Sequence, residues 1–218
     1  MTTFTEADKI YRAAIEAPGR ELRAAFESAI AVSELDLGAR DITHAILLRL
    51  KSFRFSQEQV KRELDKNYAA PMADFFVETV CFYLKVVFSK LDPSLVVASE
   101  RQIRRQRGSI RPDISVWRGD SVVAAIECKT QLGWNRTGWL SEFEEREKKL
   151  AENFPTAKLL LLVLTGSNWP GFGDDNRVNQ QFFVLLKDIQ PEEFEVFSSN
   201  AQVDKPIEGL ITSVLSSA

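Results

Sequence analysis

The residues best suited to chemistry fall in one short stretch, residues 110–129, where Asp113, Glu127 and Lys129 stand among apolar and β-branched neighbours. Two β-rich runs flank Arg118-Gly119-Asp120-Ser121, the pattern of a hairpin. Pairing Arg118 with Val122 across a three-residue loop sets Ile114 opposite Ile126 and Val116 opposite Ala124, which builds an apolar face. The same register sets Asp113 opposite Glu127 and Ser115 opposite Ala125, with Lys129 further along that second face. A two-residue loop without a bulge would send the two carboxylates to opposite faces. Facing carboxylates repel unless something positive lies between them, and opposed β-carbons, about 5 Å apart, let both hold one hard cation. Mg²⁺ accepts such oxygens and keeps positions open for a phosphate oxygen. Lys129 is then placed to polarise a water for attack on phosphorus, beside a charge that stabilises the transition state. The alternative is a salt bridge of Lys129 with either acid on a solvent face. It accounts for the charges but not for their place in otherwise apolar strands.

Upstream, Arg101, Arg104, Arg105, Arg107 and Arg111 crowd into residues 101–111 without one acid. Arginine forks match phosphate and base edges, so this segment is the candidate nucleic-acid contact. A solvated edge strand and turn would look the same. A net charge of −3 argues against indiscriminate polyanion binding, though not against a local basic site.

Other chemistries are poorly served. The single histidine, His44, sits in an apolar segment with no cysteine cluster or nucleophile elbow. The two cysteines, Cys81 and Cys128, form no CxxC pair. Residues 159–164, the longest apolar run, are too short to span a bilayer, and the first residues lack a basic and an apolar region. A cytoplasmic, reduced protein with no membrane association is expected.

The elements that must position these residues follow from periodicity. Residues 1–68 form a helical N-terminal extension, with segments 5–17, 20–34, 39–52 and 56–67 divided at Pro18-Gly19 and Gly38. Ser56-Gln57-Glu58-Gln59 has the form of a capping box opening the last of them. These helices fit either a plain bundle or a helix-turn-helix. Residues 69–218 hold the rest: a long apolar helix over 73–90, strands over 95–104, 110–117 and 122–130, and an amphipathic helix over 137–153. A fully apolar strand over 157–165, a long polar loop over 166–181, a strand over 182–187 and a closing helix over 206–217 follow. The expected fold class is α/β, an α/β sandwich around a mixed central sheet.

Pro112-Asp113 followed by Glu127-Cys128-Lys129 resembles the motif of the PD-(D/E)XK nuclease superfamily, the restriction-endonuclease-like fold, over roughly residues 73–187. The resemblance implies a Mg²⁺- or Mn²⁺-dependent DNA endonuclease, with Asp113, Glu127 and the Cys128 backbone carbonyl as metal ligands and Lys129 activating water. Members of that superfamily often add an acid from the preceding helix. Here that position is Glu78, on a stripe with Asp74 and Lys85 that faces either the metal or water. Gln131 resembles a glutamine found near the site in some branches. Trp134, Asn135, Arg136 and Trp139 would stack on or track DNA, or anchor the packing of the next helix. Cleavage of both strands implies a homodimer. The alternative is a catalytically weak or inactive nuclease-fold module that binds DNA or a protein within a larger complex.

Overall fold

The computed structural model describes residues 3–32, 34–105, 107–132, 138–167, 169, 174–187, 189 and 205–218. Among the described residues six helices and five strands run in the order α1 (Phe4–Ala7), α2 (Lys9–Ala31), α3 (Asp41–Glu63), α4 (Ala73–Leu91), β1 (Leu95–Ser99), β2 (Ile114–Arg118) and β3 (Ser121–Lys129). They continue as α5 (Trp139–Asn153), β4 (Lys158–Thr165), β5 (Phe182–Leu186) and α6 (Pro206–Leu215). The sheet is open and mixed, in order β1-β2-β3-β4-β5. Its first two pairs are antiparallel and its last two parallel. The molecule is thus α/β, with helices on both faces of one sheet. Among the described residues no helix is long and apolar enough to cross a membrane.

One face of the sheet packs against α3, α4 and α6. Phe76, Val80, Leu84, Val87 and Phe88 repeat at helical spacing along α4 and close over Ile114, Val116, Ala124, Ile126 and Leu162. Ile42, Ile46 and Leu50 of α3 belong to the same cluster. A buried carboxylate ties α3 to α6. Glu208 accepts the backbone N–H groups of Ile42 and Thr43, both at 3.1 Å, and the Thr43 hydroxyl at 2.6 Å. Helix amides left over in the first turn thereby find an acceptor from another element. The other face packs against α5, where Phe143 and Leu150 meet Ala125, Leu161, Val163 and Phe182. Two-sided cover explains why β4 is apolar at nearly every position.

Several element boundaries differ from the sequence expectation. The helix begins at Phe4 because Thr3 and Glu6 form the capping box, the Glu6 N–H donating to Thr3 Oγ1 at 3.2 Å and the Thr3 N–H to Glu6 Oε2 at 2.8 Å. Helix α2 runs through Pro18-Gly19 and α3 through Ser56, where breaks were expected. Across the second position, ion pairs Arg54–Glu58 at 3.0 Å and Lys61–Glu58 at 3.6 Å support one continuous helix, so the Ser56-to-Gln59 segment lies inside α3 and opens no new helix. Strand β1 stops at Ser99, five residues short of the expected end, because Glu100 turns the chain in the left-handed region at φ 52°.

Candidate active site at the end of the hairpin

The hairpin delivers the expected pairing by another route. Ile114 lies opposite Ile126, Ser115 opposite Ala125 and Val116 opposite Ala124. Beyond a shift at Val116/Trp117, Trp117 pairs with Val122 and Arg118 with Ser121. The loop is therefore the two residues Gly119-Asp120, corrected from three, and a bulge at Val123 restores the register. Val123 and Ala124 both join the α4-side cluster, the broken alternation that a bulge produces. Gly119, at φ 57°, occupies the first central position of the loop, where a type II′ turn calls for glycine.

At the other end of the hairpin, Asp113 is anchored twice through its backbone. Its carbonyl accepts the Glu100 N–H at 3.0 Å and the Ser99 hydroxyl at 3.1 Å. Its carboxylate reaches across to β3, where Oδ2 accepts the Cys128 N–H at 2.7 Å. In a strand the N–H and C=O of one residue face the same neighbour, so the Cys128 carbonyl is also turned toward this edge. The Cys128 side chain points the other way, into the α4-side core, and burial holds its thiol pKa well above the usual range.

Glu127 is nearly enclosed, its side chain 6% exposed. Lys129 Nζ lies 3.7 Å from Asp113 Oδ2 and 3.9 Å from Glu127 Oε2, so one ammonium spans both acids. The second oxygen of Glu127 accepts from the guanidinium of Arg146 on α5. Burial raises the Glu127 pKa above the ordinary value against the pull of Arg146. The charge of Asp113 adds to the rise, and that of Lys129 opposes it. The cluster sits at the carboxyl end of β3, where β3, β4 and β5 run parallel and where open α/β sheets hold their ligands.

Two hollows meet at Lys129 and Gln131. One, on the α5 side, is lined by Glu127, Trp139, Glu142, Phe143 and Arg146 and measures about 110 Å³. It has room for an ion and waters. The other is lined by Ala73 and Val77 of α4 with Asp113, Cys128 and Thr130. Among the described residues no group of three or more His, Cys, Asp or Glu side chains is arranged to hold a metal ion. A cation here would rely on two carboxylates and a backbone carbonyl.

Asp113, Glu127, Lys129 and Gln131 thus come together, and Glu78 does not. The stripe of Asp74, Glu78 and Lys85 lines a separate groove between α2 and α4, beside Arg23 and Phe26. Val77, one residue before Glu78 and about 100° away on the helix, borders both that groove and the hollow lined by Asp113. His44 lies half-buried on α3, outside both hollows. Trp139 is a packing anchor, its ring 5.3 Å from Trp169 and 5.7 Å from Phe182. Trp134, Asn135 and Arg136 lie outside the described residues.

The arginine segment is not beside the carboxylates throughout. Arg101 lies over the Trp117 ring at 3.9 Å and Arg104 over Phe154 at 4.9 Å. Both rings belong to the loop end of the hairpin and the far end of α5, and Ile103 between the two arginines is buried beneath them. At 1.5 Å per residue, the eight residues from Arg146, which holds Glu127, to Phe154 carry α5 about 12 Å from the carboxylates to that basic patch. Arg105, Arg107 and Arg111 are exposed.

Arg146 and Glu142 were missed from the sequence. A signal existed: Trp139, Phe143, Arg146 and Leu150 share one helical stripe, so Arg146 is a cation on the core-facing seam of α5. Compared with known proteins, the chain matches no protein-family model, no curated protein and no solved structure.

Proposed function

We propose that the chain is a metal-dependent nuclease of restriction-endonuclease-like fold, hydrolysing phosphodiester bonds in DNA. The observation that carries this reading is the convergence of Asp113, Glu127 and Lys129 at one strand end, with Lys129 within 4 Å of both acids. The donor set fits Mg²⁺ or Mn²⁺, since carboxylates and a strand carbonyl are hard oxygen ligands. Such an ion supplies Lewis acidity toward a phosphate oxygen and a nucleophilic water at neutral pH. Asp113 and Glu127 would hold it, with the Cys128 carbonyl completing the protein side. Lys129, 41% exposed, reaches from the two acids toward the opening and would orient the attacking water and steady the charge on the phosphate. The arginine patch, less than one duplex turn of about 34 Å away, would track DNA phosphates, and a homodimer would present two such sites to the two strands.

Incubation of the full chain with supercoiled, linear and branched DNA and Mg²⁺ tests the proposal. Nicking or linearisation by the wild type, lost in Asp113→Asn and Lys129→Ala, supports it. No cleavage of any substrate by the wild type rejects it. The contact of Arg146 with Glu127 favours a second reading, in which the four charges are a structural ion-pair cluster on an inactive module of the same fold. Under that reading divalent metal leaves the melting temperature unchanged.

A further inference from the structure

Glu127 offers two oxygens, and each already faces a cation of the chain: Oε1 the guanidinium of Arg146, Oε2 the ammonium of Lys129. Asp113 and Glu127 bring two negative charges and Lys129 and Arg146 two positive ones, while Glu142, which lines the same hollow as Glu127, adds a third negative charge. A divalent ion bound by Glu127 would sit with two like charges beside it, each facing one of the carboxylate oxygens it needs. One of them must move. Lys129 bridges both acids from its place on β3, whereas Arg146 touches only Glu127. Phe143 and Leu150, both buried, fix the α5 backbone on either side of Arg146. Its side chain, 41% exposed, is free to swing. Glu142, four residues earlier on the same helix face, lines the same hollow and offers the guanidinium another acceptor.

From this arrangement we infer that Arg146 is a resident counter-ion of Glu127, which a divalent cation must displace and which, once displaced, presents its fork to a phosphate group at the mouth of the hollow. The inference rests on the reading of Asp113 and Glu127 as a cation site, and deepens it: metal entry and recognition of the anionic substrate are coupled through one side chain. Without metal, Arg146 hydrogen-bonds the buried carboxylate whose other oxygen faces Lys129. With metal, the same guanidinium is repelled from Glu127, rests against Glu142 and turns its fork to phosphate when that arrives. Arg146 acts on the metal through Glu127, and is a positioning residue in that sense.

Calorimetric titration of Mn²⁺ into the full chain near pH 7 tests the inference, with wild type, Arg146→Gln, Arg146→Lys and Glu127→Gln compared. Removing a positive charge that touches the ligand should tighten Mn²⁺ binding in Arg146→Gln by about tenfold or more. Arg146→Lys, with a shorter side chain and no planar fork, should tighten it less, and serves if the glutamine variant does not fold. Glu127→Gln should bind Mn²⁺ far more weakly than wild type. Binding to Arg146→Gln that equals the wild type or is weaker overturns the competition and leaves the metal site standing. If no variant binds Mn²⁺, or Glu127→Gln binds it as tightly as wild type, the cation site itself is refuted.

Discussion

Asp113 and Cys128 are joined side chain to backbone: Oδ2 accepts the Cys128 N–H at 2.7 Å, so the carboxylate is aimed at β3 before any ligand is present. Asparagine at 113 keeps an acceptor oxygen for that N–H but loses the charge. Asp113→Asn should therefore fold normally, lose Mn²⁺ affinity and lose cleavage, whereas Asp113→Ala should also be less stable by about 1.5–3 kcal/mol. Thermal melts and metal titrations of the two variants separate these effects. Equal melting temperatures for the two would contradict the role given to the hydrogen bond.

Lys129→Ala removes the ammonium but no ligand. Cleavage should fall by about a hundredfold or more, while metal binding is retained. Cleavage at the wild-type rate would remove Lys129 from the mechanism.

Glu127 contributes its own pH dependence to stability. Its pKa in the folded chain is raised above the ordinary 4.5, so the folded state holds its proton more tightly than the unfolded state does. Its contribution to stability is therefore fully present below pH 4.5 and is lost as pH rises through the folded pKa. Relative to Glu127→Gln, the wild type should gain stability on acidification from neutral pH toward that window. Near pH 7 the variant should be no less stable than wild type without metal, and the rise in melting temperature that Mg²⁺ or Mn²⁺ gives the wild type should disappear. A structural ion pair predicts the reverse, with Glu127→Gln destabilised and metal without effect. Melts of both proteins from pH 4 to pH 7 decide between them.

The arginine patch predicts a salt effect. Arg104 and Arg105 changed together to Ala should weaken DNA binding most at low salt and lower the salt slope by about two units, one per phosphate contact. Because Arg104 also covers the Phe154 ring, the double variant should lose about 0.5–1 kcal/mol of stability. An unchanged slope would leave these arginines as packing residues at the end of α5.

Glu208 should prove structural. Its two oxygens carry three hydrogen bonds from the start of α3, so Glu208→Ala should cost about 2–4 kcal/mol and loosen α3 first. Hydrogen exchange of the amides near Ile42 and Thr43, measured in the variant, reports this directly. Unchanged protection there would show that α3 is held by its apolar contacts alone.

What the sequence by itself determined is the pairing of Ile114 with Ile126 and of Val116 with Ala124, because a strand has a side-chain period of two and these four residues had to share a face. The long apolar helix α4, its stop before Pro93 and the twice-covered strand β4 were legible for similar reasons of periodicity. The turn was not. Val122-Val123-Ala124-Ala125-Ile126 is apolar at every position, so no alternation marks where the bulge falls, and only the layers on both sides of the sheet decide it. Which side of α4 meets the carboxylates was equally hidden, since one helical step of about 100° separates Val77, which borders both hollows, from Glu78, which lines only the groove between α2 and α4. The placing of Arg146 on Glu127 and of Glu208 on Thr43 joins residues far apart in the chain. Local propensity carries no information about such pairs. They exist because a buried carboxylate must find donors wherever the packed helices bring them.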